Sequence, residues 1–308
     1  MKTRPVISIS SGALHLDIAP AIGGSIARFW SKEKNQTVEW MRPASPEGLA
    51  EGNPQMMSSF PLVPFSGRVR DGRFVFAGRH ISLPRNFGNS PHAIHGNAWK
   101  LPWRIIGHNT ASASIVLEHE RGDWPFAYRA EQHFALTPRS LEVELLVSNT
   151  DTLAMPLGIG QHPYFPHTPG MTLHAEVAQM WEAEDDMPVR LTRNEIVESL
   201  ARELRMASVT LDNNFIGWKH VATMRWPETG RRLRMTAESP LSYLVVFAPP
   251  SREFLCVEPV SNTVDWLNLG HLDSAQIGGT VLSPGATITG RCRFEPDFGA
   301  AERVTSDK

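Results

Sequence analysis

Apolar and polar residues alternate along most of this chain with a period of two, the mark of half-buried strands. Leu14, Leu16 and Ile18 share one face of an early segment, after Val6-Ile7-Ser8-Ile9-Ser10. Pro20 and Gly23-Gly24 mark a turn, and Ser25 to Trp30 is a candidate hairpin partner. From 104 to 149 the pattern is β throughout. Segments around Ile105-Ile106, Ser114–Glu118, Tyr128–Phe134 and Leu141–Val147 are divided by turns at Gly122-Asp123 and Pro138-Arg139. Strand patterns resume at Arg232–Met235, Leu244–Phe247, Phe254–Glu258 and Ala286–Phe294, the last after a Pro284-Gly285 turn. Such spacing predicts an all-β protein, a large antiparallel sandwich or barrel with little helix. The one good helical stretch is Arg193 to Met206, short and peripheral.

Two stretches depart from alternation. Residues 41 to 66 carry prolines at 43, 46, 54, 61 and 64, which reads as a long irregular loop of functional interest. Residues 299 to 308 read as a frayed tail. No repeat of fixed period or low-complexity tract divides the chain. Its 308 residues are therefore expected to form one large domain.

A net charge of −2, without blocks of like charge, argues against nucleic acid as a partner. The longest apolar runs are too short to span a bilayer. Met1-Lys2-Thr3-Arg4 leads into strand rather than a signal-peptide core, so a cytoplasmic protein is expected. Cys256 and Cys292 sit in apolar strand segments and read as two buried thiols.

Candidate chemistry concentrates in Gly158-Ile159-Gly160-Gln161-His162-Pro163-Tyr164-Phe165. Two glycines allow close backbone approach. Pro163 restricts His162 to an extended or turn conformation, and two aromatic rings follow it. A positioned imidazole beside flat apolar surface suits a small polar ligand with an apolar face, such as a sugar. Glu258 ends an apolar strand, where a carboxylate is costly unless paired or at a cleft rim. Asp212, Arg68 and His95 each also fit a turn, a surface or a loop. Trp99, Trp103, Tyr164 and Phe165 could stack on a ligand or pack in the core. His92, His95 and His162 have a permissive spacing for a metal, but no specific ligand set stands out, and neither metal nor cofactor is expected.

Taken in order, six fragments resemble the aldose 1-epimerase (mutarotase) family of galactose mutarotase-like proteins. They are Gly67-Arg68-Val69, His95-Gly96-Asn97-Ala98-Trp99, Gly160 to Phe165, Leu211-Asp212, Val257-Glu258-Pro259 and Leu282-Ser283-Pro284-Gly285. The resemblance implies a large antiparallel β-sandwich, a monomer or homodimer, with a small-molecule sugar as partner. It implies that Glu258 is the base that takes the anomeric proton and His162 the acid that protonates the ring oxygen. It further implies that His95, Arg68 and Asp212 bind substrate. Many members have Asn where Gly67 stands, and galactose-acting members often have glycine where Asn97 stands, which leaves the sugar open. An acid and a base on opposite sides of the sugar, with Glu258 ionised and His162 protonated near neutral pH, would open the ring without a cofactor. Two other readings stand beside this one: a non-catalytic carbohydrate-binding protein, and an epimerase for a hexose phosphate with a basic pocket from Arg68, Arg70, Arg73 and Arg85.

Overall fold

The computed structural model describes residues 5–33, 36–250 and 252–297. The expected frayed tail, 299–308, lies outside them. Two large sheets dominate, and every pairing between strands is antiparallel. One has nine strands, with Leu141–Asn149, Thr287–Asp297 and Arg231–Ala237 as consecutive neighbours near its centre. The other has eight. Gln179–Glu184, Leu211–Ile216, Tyr243–Ala248 and Phe254–Val260 are adjacent in it. The expected first strands appear as Ile7–Ser11, Leu14–Ala19 and Ser25–Glu33, in a four-stranded sheet.

Alternation builds the core directly. Along Tyr128–Leu136 every second residue is buried, and Leu141–Asn149 repeats the pattern. Tyr128, Phe134, Val143 and Leu145 join Leu244, Val246, Leu255 and Val257 of the eight-stranded sheet in one apolar cluster. Burying each such side chain contributes about 1.5–3 kcal/mol. Cys256 and Cys292 are free, buried thiols, as expected.

The eight-stranded sheet is buried on its second face too, and there the pattern changes. Tyr243, Val245, Cys256 and Val260 join Phe60, Trp99 and Tyr164 in a separate cluster. Asp212, Asn214 and Glu258 share that face by the period of two. The register lines them up: Asp212 pairs with Phe247, which pairs with Cys256, while Asn214 pairs with Val245, which pairs with Glu258.

The expected helix is shorter than its sequence suggests. It runs Glu195–Arg202, capped by the Asn194 side chain, and ends where Glu203 takes φ 109°. Leu204–Arg205 then joins the nine-stranded sheet instead. The proline-rich stretch 41–66 is not wholly irregular. It holds a helix at Pro46–Glu51, a single turn at Pro54–Met56 and a short strand, Pro61–Leu62.

Candidate active site

Arg68, His95, His162, Asp212 and Glu258 line one cleft. Phe60, Trp99 and Tyr164 form an aromatic wall, and Val245 and Phe247 supply apolar floor. Ligand sites of this kind are mostly apolar with a few convergent polar groups.

Close backbone packing sets the two histidines. A Cβ on Gly160 would come within 2.8 Å of Val260 and 2.9 Å of the Pro259 carbonyl. Glycine there lets the His162 segment lie against the Glu258 strand. Gly96 sits at φ 67°, and a Cβ would meet the Val63 carbonyl oxygen at 2.2 Å. His95 itself adopts φ 60°, a strained conformation for a residue with a side chain. Its amide donates to the Gly67 carbonyl at 2.8 Å, and the Gly67 amide donates back to His95 Nδ1 at 3.1 Å. That second bond leaves Nε2–H as the donor of the neutral ring.

His162 Nε2 lies 3.3 Å from Glu258 Oε1, with both side chains almost wholly buried. His162 stacks against Phe60 at 4.5 Å and Tyr164 at 4.8 Å between ring centroids. Its Nδ1 has no hydrogen-bond partner among the described residues. Burial pushes Glu258 well above its usual carboxylate range, and the nearby Asp212 charge adds to this while Arg68 opposes it. Burial also pushes His162 down, to about 3, with the Arg42 charge helping. His95 is lowered as well, by burial and then by His162 and Arg68.

These facts correct two sequence expectations. His162 and Glu258, expected as acid and base, do not face each other across a ring-sized gap; they touch. Burial also disfavours the charged pairing expected of them. Loss of water works against the charged form of each, pushing Glu258 up and His162 down, and so opposes their mutual attraction.

Arg68 Nη2 donates to Asp212 at 3.0 Å, and its Nε lies 3.5 Å from Asp186. Arg70, one arm of the suggested basic pocket, is instead bound to Asp265 at 3.2 Å. Arg73 and Arg85 do not line the cleft. His92 stands apart from the other two histidines, its Nδ1 accepting the Asp71 amide at 3.1 Å. Among the described residues, the donors close enough to hold a metal ion are those of His162, Cys256 and Glu258, within 4.8 Å of one another. Two of these three, His162 and Glu258, also make the buried contact on the cleft wall.

Sequence reasoning missed Phe60, Arg42, Gln55 and Asp186. The first three come from the proline-rich stretch, whose composition signalled only a long loop. The Arg42 guanidinium lies over the rings of Tyr164 at 3.9 Å and Phe254 at 4.7 Å, and donates to the Gln55 and Met57 carbonyls. It thereby ties the loop to the wall that holds His162.

Comparison with known proteins places this geometry in context. An uncharacterized protein of Escherichia coli K12, YphB, is 32% identical over 273 residues, covering 84% of this chain and 89% of its own length. A solved structure from Escherichia coli K12, described as a candidate aldose 1-epimerase, superposes with a TM-score of 0.85 at 28% identity, covering 96% of this chain and 99% of that one. A galactose mutarotase-like protein of Clostridium acetobutylicum shares the fold at 19% identity, with a TM-score of 0.85 and 95% of each chain covered. The family model for aldose 1-epimerase matches residues 5–295, nearly the whole chain, and the chain belongs to the aldose 1-epimerase family.

Proposed function

We propose that the protein interconverts the α and β anomers of an uncharged aldose by opening and reclosing its ring. The observation that carries this reading is the buried contact between His162 Nε2 and Glu258 Oε1 on the wall of the cleft. The anomeric hydroxyl and the ring oxygen of a sugar are bonded to the same carbon. Neighbouring groups can therefore serve both oxygens, and a sugar laid over the pair need not pass between them.

The resting pair holds two protons, one on the carboxyl and one on imidazole Nδ1. Moving the carboxyl proton across the 3.3 Å contact gives a carboxylate beside an imidazolium, with no proton exchanged with solvent. In that form Glu258 takes the anomeric proton while His162 Nε2–H delivers one to the ring oxygen. The C1–O5 bond breaks, C1 becomes an aldehyde, and rotation about C1–C2 exposes its other face. Reclosure runs the same transfers backwards and restores the pair. Placed acids and bases of this kind supply about 10²–10⁴-fold each.

His95 Nε2–H donates to a sugar oxygen, and Arg68 and Asp212 hold hydroxyls. Phe60, Trp99 and Tyr164 cover the apolar face of the ring. Support for an uncharged substrate comes from the pairing of Arg68 with Asp212 and the engagement of Arg70 with Asp265. Neither arginine is left as a free cation for a phosphate. The test is polarimetry of freshly dissolved α-aldoses across a panel of hexoses and pentoses. Acceleration beyond the spontaneous rate for at least one sugar is expected. A protein that binds sugars yet leaves that rate unchanged would refute catalysis and favour the binding-protein reading.

A further inference from the structure

Asp186 lies far from the acid/base pair in sequence and on no expected strand, yet it reaches the one cation of the cleft. Gln179–Glu184 and Met187–Thr192 form a hairpin closed by Asp185 and Asp186, since Glu184 pairs with Met187. Both turn residues have positive φ, 49° and 64°. A two-residue hairpin turn of this hand is filled mostly by glycine, asparagine and aspartate, because a Cβ crowds the backbone there. Backbone preference admits aspartate, asparagine or glycine at 186; of these only aspartate brings a charge to Arg68. Its Oδ2 lies 3.5 Å from Arg68 Nε, opposite Asp212, whose Oδ2 accepts from Arg68 Nη2 at 3.0 Å. Arg68 Nε itself is buried and makes no hydrogen bond among the described residues. It is a donor awaiting an acceptor.

We propose that Asp186 is a specificity-determining residue that confines this cleft to uncharged aldoses, acting through Arg68. With Asp212 it sets two carboxylates around one guanidinium, which leaves one negative charge in excess. Arg68 can still give its spare N–H groups to hydroxyl oxygens. It offers no net positive charge to a phosphate or a carboxylate. The screening length at physiological salt, about 8 Å, is comparable to the reach across such a cleft, so the excess acts on an anionic substituent wherever the sugar carries it. This rests on the aldose reading above and sharpens it to a charge class.

The experiment compares a neutral aldose with its own 6-phosphate and its uronic acid. Mutarotation rates and calorimetric affinities are measured for wild type, D186N, D186G and D186E. The quantity read is the ratio of neutral to anionic sugar. Asparagine and glycine both suit the turn, so neither variant threatens the fold. We expect wild type to favour the neutral sugar by about tenfold or more. D186N and D186G should each narrow that ratio by about threefold to tenfold, the scale of one partly screened charge at this range. D186E should keep it. High salt should narrow the wild-type ratio and change the D186N ratio less, which a purely structural role for Asp186 would not produce. Ratios unmoved in D186N and D186G, or a wild type that handles the phosphate as well as the neutral sugar, would overturn the proposal. If wild type accelerates no aldose at all, the mutarotase reading fails on its own. The calorimetric ratio then still decides whether Asp186 repels anions.

Discussion

Asp151 and Glu258 both hold a carboxylate out of water, and their surroundings drive the two in opposite directions. Asp151 has a fully buried side chain yet is surrounded by donors. Arg121 grips both of its oxygens, and the amides of Ala127 and Leu153 add hydrogen bonds at 2.9 and 3.0 Å. Arg121 and those amides hold it well below the usual carboxylate range, against the opposing effect of burial. Glu258 is buried almost as fully, but its neighbours are an imidazole whose pKa burial lowers and the like charge of Asp212. Burial alone therefore does not mark a reactive carboxylate. What separates the two is whether the protein supplies donors for the charge. Where it does, the group fastens a turn. Where it withholds them, burial strengthens the group's hold on a proton, the condition the proposed proton transfer needs.

The sharpest way to break this comparison is Glu258→Gln. We expect anomer interconversion to fall about 10²–10⁴-fold, roughly 3–5 kcal/mol of transition-state stabilisation, with the fold intact. Polarimetry on the best panel sugar reads the first quantity and urea unfolding the second. A variant with near wild-type rates would remove Glu258 from the proton transfers.

Next in size is Asp151→Asn. It keeps the shape and gives up the charge that four donors converge on, so we expect a stability loss of about 2–3 kcal/mol. The rate per folded molecule should remain near that of wild type. Loss of activity with unchanged stability would show that the two carboxylates had been assigned to the wrong roles.

The smallest effect is the most diagnostic, because its sign differs between the two sites. Glu258 binds its proton more tightly folded than unfolded. Its contribution is complete below its ordinary value of 4.5 and declines as pH rises toward the raised folded value. E258Q should therefore gain stability relative to wild type as pH rises above about 4.5, by up to about 1.4 kcal/mol per unit. Asp151 binds its proton more weakly folded. Its contribution is present above 3.8 and is lost as pH falls below that value. The gap between wild type and D151N should therefore close in acid. His162, lowered from 6.5 to about 3, makes all forms less stable as pH falls through that window. Urea unfolding at a series of pH values gives both slopes, and parallel slopes for the two variants would sink the comparison.

Much of this was legible in the chain. A period of two located the main strands, because half-burial forces alternation, and a carboxylate ending an apolar strand singled out Glu258, whereas Asp212 read as a turn residue and was picked out by the family resemblance. The state of the pair was not legible. Whether Glu258 is charged depends on donors that segments far away do or do not bring, and no local pattern encodes a missing donor. The hairpin carrying Asp186 was hidden for another reason. Glu182, Glu184 and Arg190 lie on its partly or well exposed positions, so charge there masks the strand period. Phe60 and Arg42 were hidden by prolines, which report an interrupted ladder without saying where the side chains go. The helix was overextended past Glu203 because composition stays helix-compatible there, while pairing of Leu204–Arg205 with Thr172–Leu173 claims the backbone.

The position of Thr287–Asp297 carries a consequence for how the chain is made. It lies between Leu141–Asn149 and Arg231–Ala237 inside the nine-stranded sheet, although it comes after both in sequence. A ribosome that has released the chain only as far as residue 286 has exposed two half-sheets, each with a bare edge where this strand belongs. Unpaired edges of that length invite pairing with other chains. The interval between emergence of Arg231–Ala237 and arrival of the closing strand is thus when a nascent molecule is most exposed to aggregation. A stall there leaves a nearly complete polypeptide that cannot complete its central sheet.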